Sequence, residues 1–174
     1  MNLNYIFIDE SFIYTQNNIF RSWKLPEDEI FMPIQDFSKK NLLLAVDKNK
    51  TIFFKLSDKP TTSIEFKNFF TQMLSSLNDN EIINSIFILD NHSSHLTSEL
   101  FQLYDDKKLK ILFTVPYLSK FNMIELVFRG IINIIYKSLF KSIKEVENKV
   151  EEFIMIKSFI LLINFILKKL LIII

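Results

Sequence analysis

The sequence predicts an α/β fold, a mixed sheet with helices packed on it, and three observations carry that prediction. Apolar runs of strand length occur early, and one pair of them is joined by a link too short for a helix. One segment near the middle has strong helical spacing. Beyond it, strand-length runs alternate with helical patterns, as in sheets built from crossover connections. The chain has 174 residues and is 49% hydrophobic, enough for one domain with a sizeable core.

The elements follow in order. Tyr5–Ile8, in YIFIDES, is a short apolar run ending at Asp9, and Asn41–Asp47 (NLLLAVD) and Thr51–Ser57 (TIFFKLS) are two further strands linked by KNK, a hairpin-length connection. The part between, Phe12–Ser38, holds Trp23, Pro26 and Pro33 and reads as irregular, with one short strand around Phe20–Trp23. Thr62 stands three residues before Glu65, a capping box, and Ile64, Phe66, Phe69, Phe70, Met73, Leu74 and Leu77 follow at largely helical spacing. Next come the strand SIFIL, a helix over about Ser94–Asp105, the strand LKILFTV, the loop PYLSKF and a helix beginning near Asn122. Ser142 with Glu145 forms a second capping box that starts a last helix.

Composition narrows the function. There is no cysteine, so disulfides and thiolate metal sites are excluded. Lys and Arg total 21 against 20 Asp and Glu, a balance that neither announces nor excludes nucleic acid, since phosphate binding depends on local clustering. The lone glycine, Gly130, leaves the turns to Asn, Asp, Ser and Pro. The N-terminus lacks the basic and apolar regions of a secretory signal. The C-terminal segment Phe153–Ile174 is mostly apolar but is broken by Lys157, Asn164, Lys168 and Lys169, and no uninterrupted run in it exceeds five residues. A spanning helix needs roughly 18 apolar residues, so the segment reads as a buried or partner-seeking helix. The chain thus divides into a domain over 1–141 and an apolar helical segment over 142–174.

Chemistry concentrates at strand ends, where ligands of α/β sheets bind. YIFID and IFILD each end on an aspartate, Asp9 and Asp90, and Glu125 follows near the start of a helix. Brought together, three carboxylates repel one another unless one takes a proton or a hard divalent cation joins them. Each also has a plainer use: Asp after a strand forms turns or caps helices, Asp9 and Glu10 suit a solvated turn, and Glu125 suits an exposed helix face.

The motifs in full resemble the catalytic domain of DDE transposases of the Tc1/mariner and IS630 type. The matches are FIDES with Asp9, DNHSSH with Asp90 and His95, VPYLSKFNMIE with Glu125, and FRSWKLP with Arg21 and Trp23. The 34 residues between Asp90 and Glu125 are also similar to that family's spacing. Leu118, Lys120 and Met123 depart from the family's proline-rich loop, and the glycine common after the Trp segment is missing. The resemblance covers roughly Tyr5–Lys141. It implies an RNase H-like mixed sheet flanked by helices, with Asp9, Asp90 and Glu125 as catalytic residues holding two Mg²⁺ ions, Mn²⁺ serving as substitute. Asn91, His95, Asn122 and Arg21 would then support the acids or contact DNA.

The implied activity is metal-dependent DNA strand cleavage and strand transfer. Its partners would be transposon-end and target DNA, a homodimer mate and a separate DNA-binding region or chain; a membrane is not among them. The implied location is the nucleus in a eukaryote and the cytoplasm in a bacterium. Lys107, Lys108 and Lys110, or Lys137, Lys141 and Lys144, could meet phosphates, although such runs more often form solvated faces. Phe69, Phe70 and Phe101 read as core. A second reading is a domesticated relative that keeps the fold as a DNA- or protein-binding module without catalysis; a third is a membrane-associated protein anchored by its tail.

Overall fold

The computed structural model describes residues 3–14, 39–115, 122–137 and 143–156. Five strands, β1 (Asn4–Tyr14), β2 (Lys39–Val46), β3 (Thr51–Ser57), β4 (Ser85–Leu89) and β5 (Lys110–Phe113), form one sheet in the order β3-β2-β1-β4-β5. The first three are antiparallel neighbours, whereas β1–β4 and β4–β5 are parallel. The helices are α1 (Ser63–Ser75), α2 (Asp79–Ile83), α3 (Ser98–Asp106), α4 (Ile124–Lys137) and α5 (Ile143–Ile156).

β2 shows how the layers arise. Leu42, Leu44 and Val46 point to one face, Leu43 and Ala45 to the other, and all five are buried, so β2 needs cover on both sides. On the first face Phe66, Phe69, Phe70 and Met73 of α1, with Leu100 and Tyr104 of α3, pack on Ile6, Ile8, Phe87 and Leu89. On the second, Ile124, Val127, Phe128, Ile131 and Ile135 of α4, with Val146, Val150, Phe153 and Ile154 of α5, pack on Ile13, Leu42, Leu44 and Val46. The spacing of those α4 positions keeps one helical stripe against the sheet. The product is a three-layer α/β/α sandwich.

Local chemistry sets the turns in a chain with so little glycine. Asp47 accepts from the backbone N–H groups of Asn49 (2.6 Å) and Lys50 (2.7 Å) and from the Asn4 amide (3.2 Å), closing the predicted β2–β3 hairpin and pinning it to β1. Thr62 caps α1, its hydroxyl accepting from Glu65 N–H at 3.2 Å. At the end of α3, Lys108 takes the left-handed conformation (φ 51°). There Leu109 N–H bonds to Tyr104 O (2.9 Å) and Lys108 N–H to Asp105 O (3.0 Å), a Schellman closure that ordinarily carries glycine.

Three expectations change. β1 does not stop before Asp9 but runs to Tyr14, because β2 pairs with it from Phe7 through Tyr14 and satisfies the backbone of the polar DES segment. The single helix expected over Ser94–Asp105 is two pieces, a 3-10 turn at Ser93–His95 and then α3 starting after Thr97. The short helix α2 was not anticipated, although Asn78 and Glu81 form a reciprocal capping box there. Phe69 and Phe70 are core, whereas Phe101 is 43% exposed on the outer side of α3. The strand expected at Phe20–Trp23, Arg21, the loop around Lys120, Lys141, Ser142 and the tail beyond residue 156 lie outside the described residues. No helix among the described residues is long and apolar enough to cross a membrane.

Candidate active site

The parallel pairing of β1 with β4 brings the two aspartates together. Asn4 faces Ser85 and Phe7 faces Ile88, and the same register carried two residues further sets Asp9 level with Asp90. Asp90 directly follows β4, as expected; Asp9 lies inside β1, beyond the end of its pairing with β4.

The two-residue alternation of β1 then separates neighbours. Asp9 shares the α4 face with Ile13, and its Oδ2 accepts from the Asn122 amide at 3.0 Å. Asn122 also caps the start of α4, its Oδ1 accepting from Ile124 N–H at 3.3 Å. One asparagine thereby ties the first turn of α4, which carries Glu125, to β1. Burial pushes the Asp9 carboxyl up to about 7 against the lowering effect of the Glu10 N–H bond (2.8 Å), with the charges of Asp90, Glu125 and Glu10 adding to the rise. Asp90 and Glu125 are thus near enough for their charges to act on Asp9, though the three acids do not bring ligand atoms within 4.8 Å of one another as Glu10, His92 and His95 do. Such a set of hard oxygen donors with mutual repulsion fits Mg²⁺ or Mn²⁺ far better than a soft metal.

Glu10 faces the other way, toward α1, with Ile6 and Ile8. There it meets two histidines: its Oε2 is 3.6 Å from His95 Nε2 and its Oε1 is 3.5 Å from His92 Nδ1. Ligand atoms of Glu10, His92 and His95 all lie within 4.8 Å of one another, a second cluster on the opposite side of the sheet. His95 is fully buried, its ring 4.0 Å from that of Phe66, and its Nδ1 donates to Asp90 Oδ1 at 2.7 Å. Burial alone would lower the His95 pKa, but Asp90 and Glu10 outweigh it and raise it to about 9, so the imidazolium form prevails at neutral pH. In return the His95 bond holds Asp90 below the usual carboxylate range despite partial burial.

Of the other residues singled out from the sequence, Asn91 is not joined to the acids: its amide donates to Thr114 O at 2.6 Å and stitches the end of β4 to that of β5. Lys107, Lys108 and Lys110 stand at the other end of the sheet, where β4 and β5 begin, lining a cleft of about 600 Å³ with Asp79 and Asp106. Lys110 is already engaged there, donating to Ile83 O at 2.8 Å. Lys144 pairs with Glu147 on α5 at 3.5 Å. Sequence reasoning missed Glu10 and His92 as members of the site. The signals were present, a second acid beside Asp9 and two histidines three apart in DNHSSH.

A mixed sheet of this order, covered by helices on both faces, defines an RNase H-like domain. The sequence pattern of the family described as DDE superfamily endonuclease matches residues 4–147. The chain belongs to that family.

Solved structures agree on the fold. A pre-cleavage Mos1 transpososome superposes with a TM-score of 0.75 at 15% identity, over 91% of this chain and 50% of that one. The Mos1 mariner paired-end complex with Mn gives 0.74 at 16%, over 91% and 50%. The isolated catalytic domain of Mos1 mariner transposase gives 0.68 at 14%, over 91% and 74%. The chain thus spans about half the length of the transposase chains in those complexes. None of the curated proteins matches the sequence.

Proposed function

We propose that this domain is the catalytic unit of a mariner- or IS630-type transposase, cutting and joining DNA strands with divalent cations held by Asp9, Asp90 and Glu125. The observation that carries this reading is the strand register that sets Asp9 level with Asp90, with the Asn122–Asp9 bond of 3.0 Å tying the start of the helix that carries Glu125 to β1. Two bound Mg²⁺ or Mn²⁺ ions would supply activation of a water or a DNA 3′-hydroxyl and stabilisation of the leaving oxygen. The chain's own contribution is placement. β1 and the end of β4 are rigid supports for Asp9 and Asp90, and Glu125 rides on the first turn of a helix capped by Asn122. Cleavage and strand transfer then use one site with different nucleophiles. That solved Mos1 complexes contain transposon-end DNA supports DNA as the substrate class. Sequence recognition of those ends is assigned to a separate DNA-binding region or chain, and pairing of two ends to a dimer.

The test is calorimetric titration of Mn²⁺ into the chain alongside Asp90→Asn, followed by nuclease assay on transposon-end DNA. Saturable binding abolished by the substitution, with Mn²⁺-dependent nicking, supports the reading. Binding without nicking favours a domesticated module that keeps the fold and the metal site. No binding in a folded sample refutes the metal centre.

A further inference from the structure

We propose that Glu10 is a positioning residue for Asp90, acting across the sheet through His95. The inference rests on the carboxylate centre proposed above and adds to it a support built on the opposite face of the sheet. The Asp90 side chain is 43% exposed, and among the described residues the hydrogen bonds to it both fall on Oδ1, from His92 N–H (3.1 Å) and from His95 Nδ1 (2.7 Å). Neither of these bonds engages Oδ2, so the direction in which it would be presented to a cation depends on His95.

His95 in turn has one nitrogen on Asp90 and the other facing Glu10. Its Nε2 and the Glu10 Oε2 are both buried and 3.6 Å apart, an ion-pair distance, and neither has a hydrogen-bond partner among the described residues. A fully buried imidazolium bonded at Nδ1 and facing a carboxylate at Nε2 is held in one ring orientation; with that carboxylate removed, the ring can turn and release Asp90. The Phe66 ring, tilted by 38° with its centroid 4.0 Å away, restrains the plane of the imidazole but makes no distinction between its two flipped orientations. Glu10 makes that distinction. The arrangement follows from the alternation of β1, which sends Asp9 to the metal side and its neighbour Glu10 to the support side. Adjacent acids on one strand thereby brace both aspartates of the centre, one by being an aspartate and one by holding the histidine behind the other.

The experiment compares Mn²⁺ binding by calorimetry in the full chain with Glu10→Ala, Glu10→Gln and the same changes in a His95→Ala background. Removing such a supporting partner lowers metal affinity about 10-fold to 100-fold in well-studied sites, and Glu10→Ala is expected to do the same. Glu10→Gln, which keeps a carbonyl oxygen facing Nε2, is expected to stay within about threefold of wild type. In the His95→Ala background neither Glu10 change has a further effect, as expected for coupled residues acting in series. Proton NMR of the metal-free protein gives an independent readout: the His95 Nδ1–H resonance persists in Glu10→Gln and is lost in Glu10→Ala. Wild-type affinity in Glu10→Ala with that resonance intact would overturn the inference, as would equal effects of Glu10→Ala with and without His95. If wild type binds no Mn²⁺, the metal centre falls. The resonance then still decides whether Glu10 orients His95.

Discussion

Replacing Asp9 by Asn in the metal-free protein should stabilise it at pH 8 and not at pH 5. The rise of the Asp9 pKa from an ordinary 3.8 to about 7 corresponds to about 4 kcal/mol of penalty for keeping the ionised group in the folded state. The sign follows from proton counting. Between these two pKa values the folded state binds more protons than the unfolded one, so stability of the metal-free protein falls as pH rises from about 4 to about 7. Asn keeps an acceptor for the Glu10 N–H but sets its amide against that of Asn122, forfeiting a bond worth about 1 kcal/mol. The net gain at pH 8 is therefore roughly 2 to 3 kcal/mol, or about 5 to 10 °C in Tm for a chain of this size. The assay is thermal unfolding by circular dichroism at both pH values, with and without Mn²⁺. Wild type gains Tm from Mn²⁺ chiefly at pH 8, and Asp9→Asn gains little at either pH. A lower Tm for Asp9→Asn than for wild type at pH 8 without metal would refute the argument from the buried charge. Stability given up by burying a carboxylate beside other acids is what a functional site leads one to expect.

Other substitutions test the frame around the site. Lys108→Gly removes the side-chain clash of the left-handed conformation (φ 51°) and should raise stability by about 1 kcal/mol, seen as a higher urea midpoint, while Lys108→Ala should not. Asn122→Ala loses both the α4 cap and the Asp9 bond, so unfolding free energy should drop by about 1 to 2 kcal/mol and Mn²⁺ affinity should fall in the same protein. Asp47→Ala strips three hydrogen bonds from the β2–β3 hairpin and should cost about 2 kcal/mol in denaturant unfolding without altering Mn²⁺ binding.

Much of the fold was legible because its signals are local. Apolar runs mark β2, β3, β4 and β5, and the Thr62–Glu65 pair with its phenylalanine stripe marks α1. The acids Asp9, Asp90 and Glu125 could be singled out from their places in FIDES, ILDN and NMIE. Three features were not legible, for three reasons. β1 extends through the polar DES segment because β2 supplies its hydrogen bonds, and no local pattern reports a partner that lies some thirty residues away. The break between the Ser93–His95 turn and α3 accompanies the burial of His95 against Phe66, a contact between distant segments. The assignment of Glu10 to the side of the sheet opposite Asp9 needs the strand that carries them both to be recognised first.

By itself, then, the sequence determined the element types, the α/β class and the acidic residues, because periodicity, caps and turn chemistry act over a few residues. The tertiary structure alone decided which face of the sheet each acid takes and what holds it there. Strand register sets Asp9 beside Asp90, and strand alternation sends Glu10 to His95 behind them. Register and facing are properties of paired strands, and a single stretch of chain does not contain its partner.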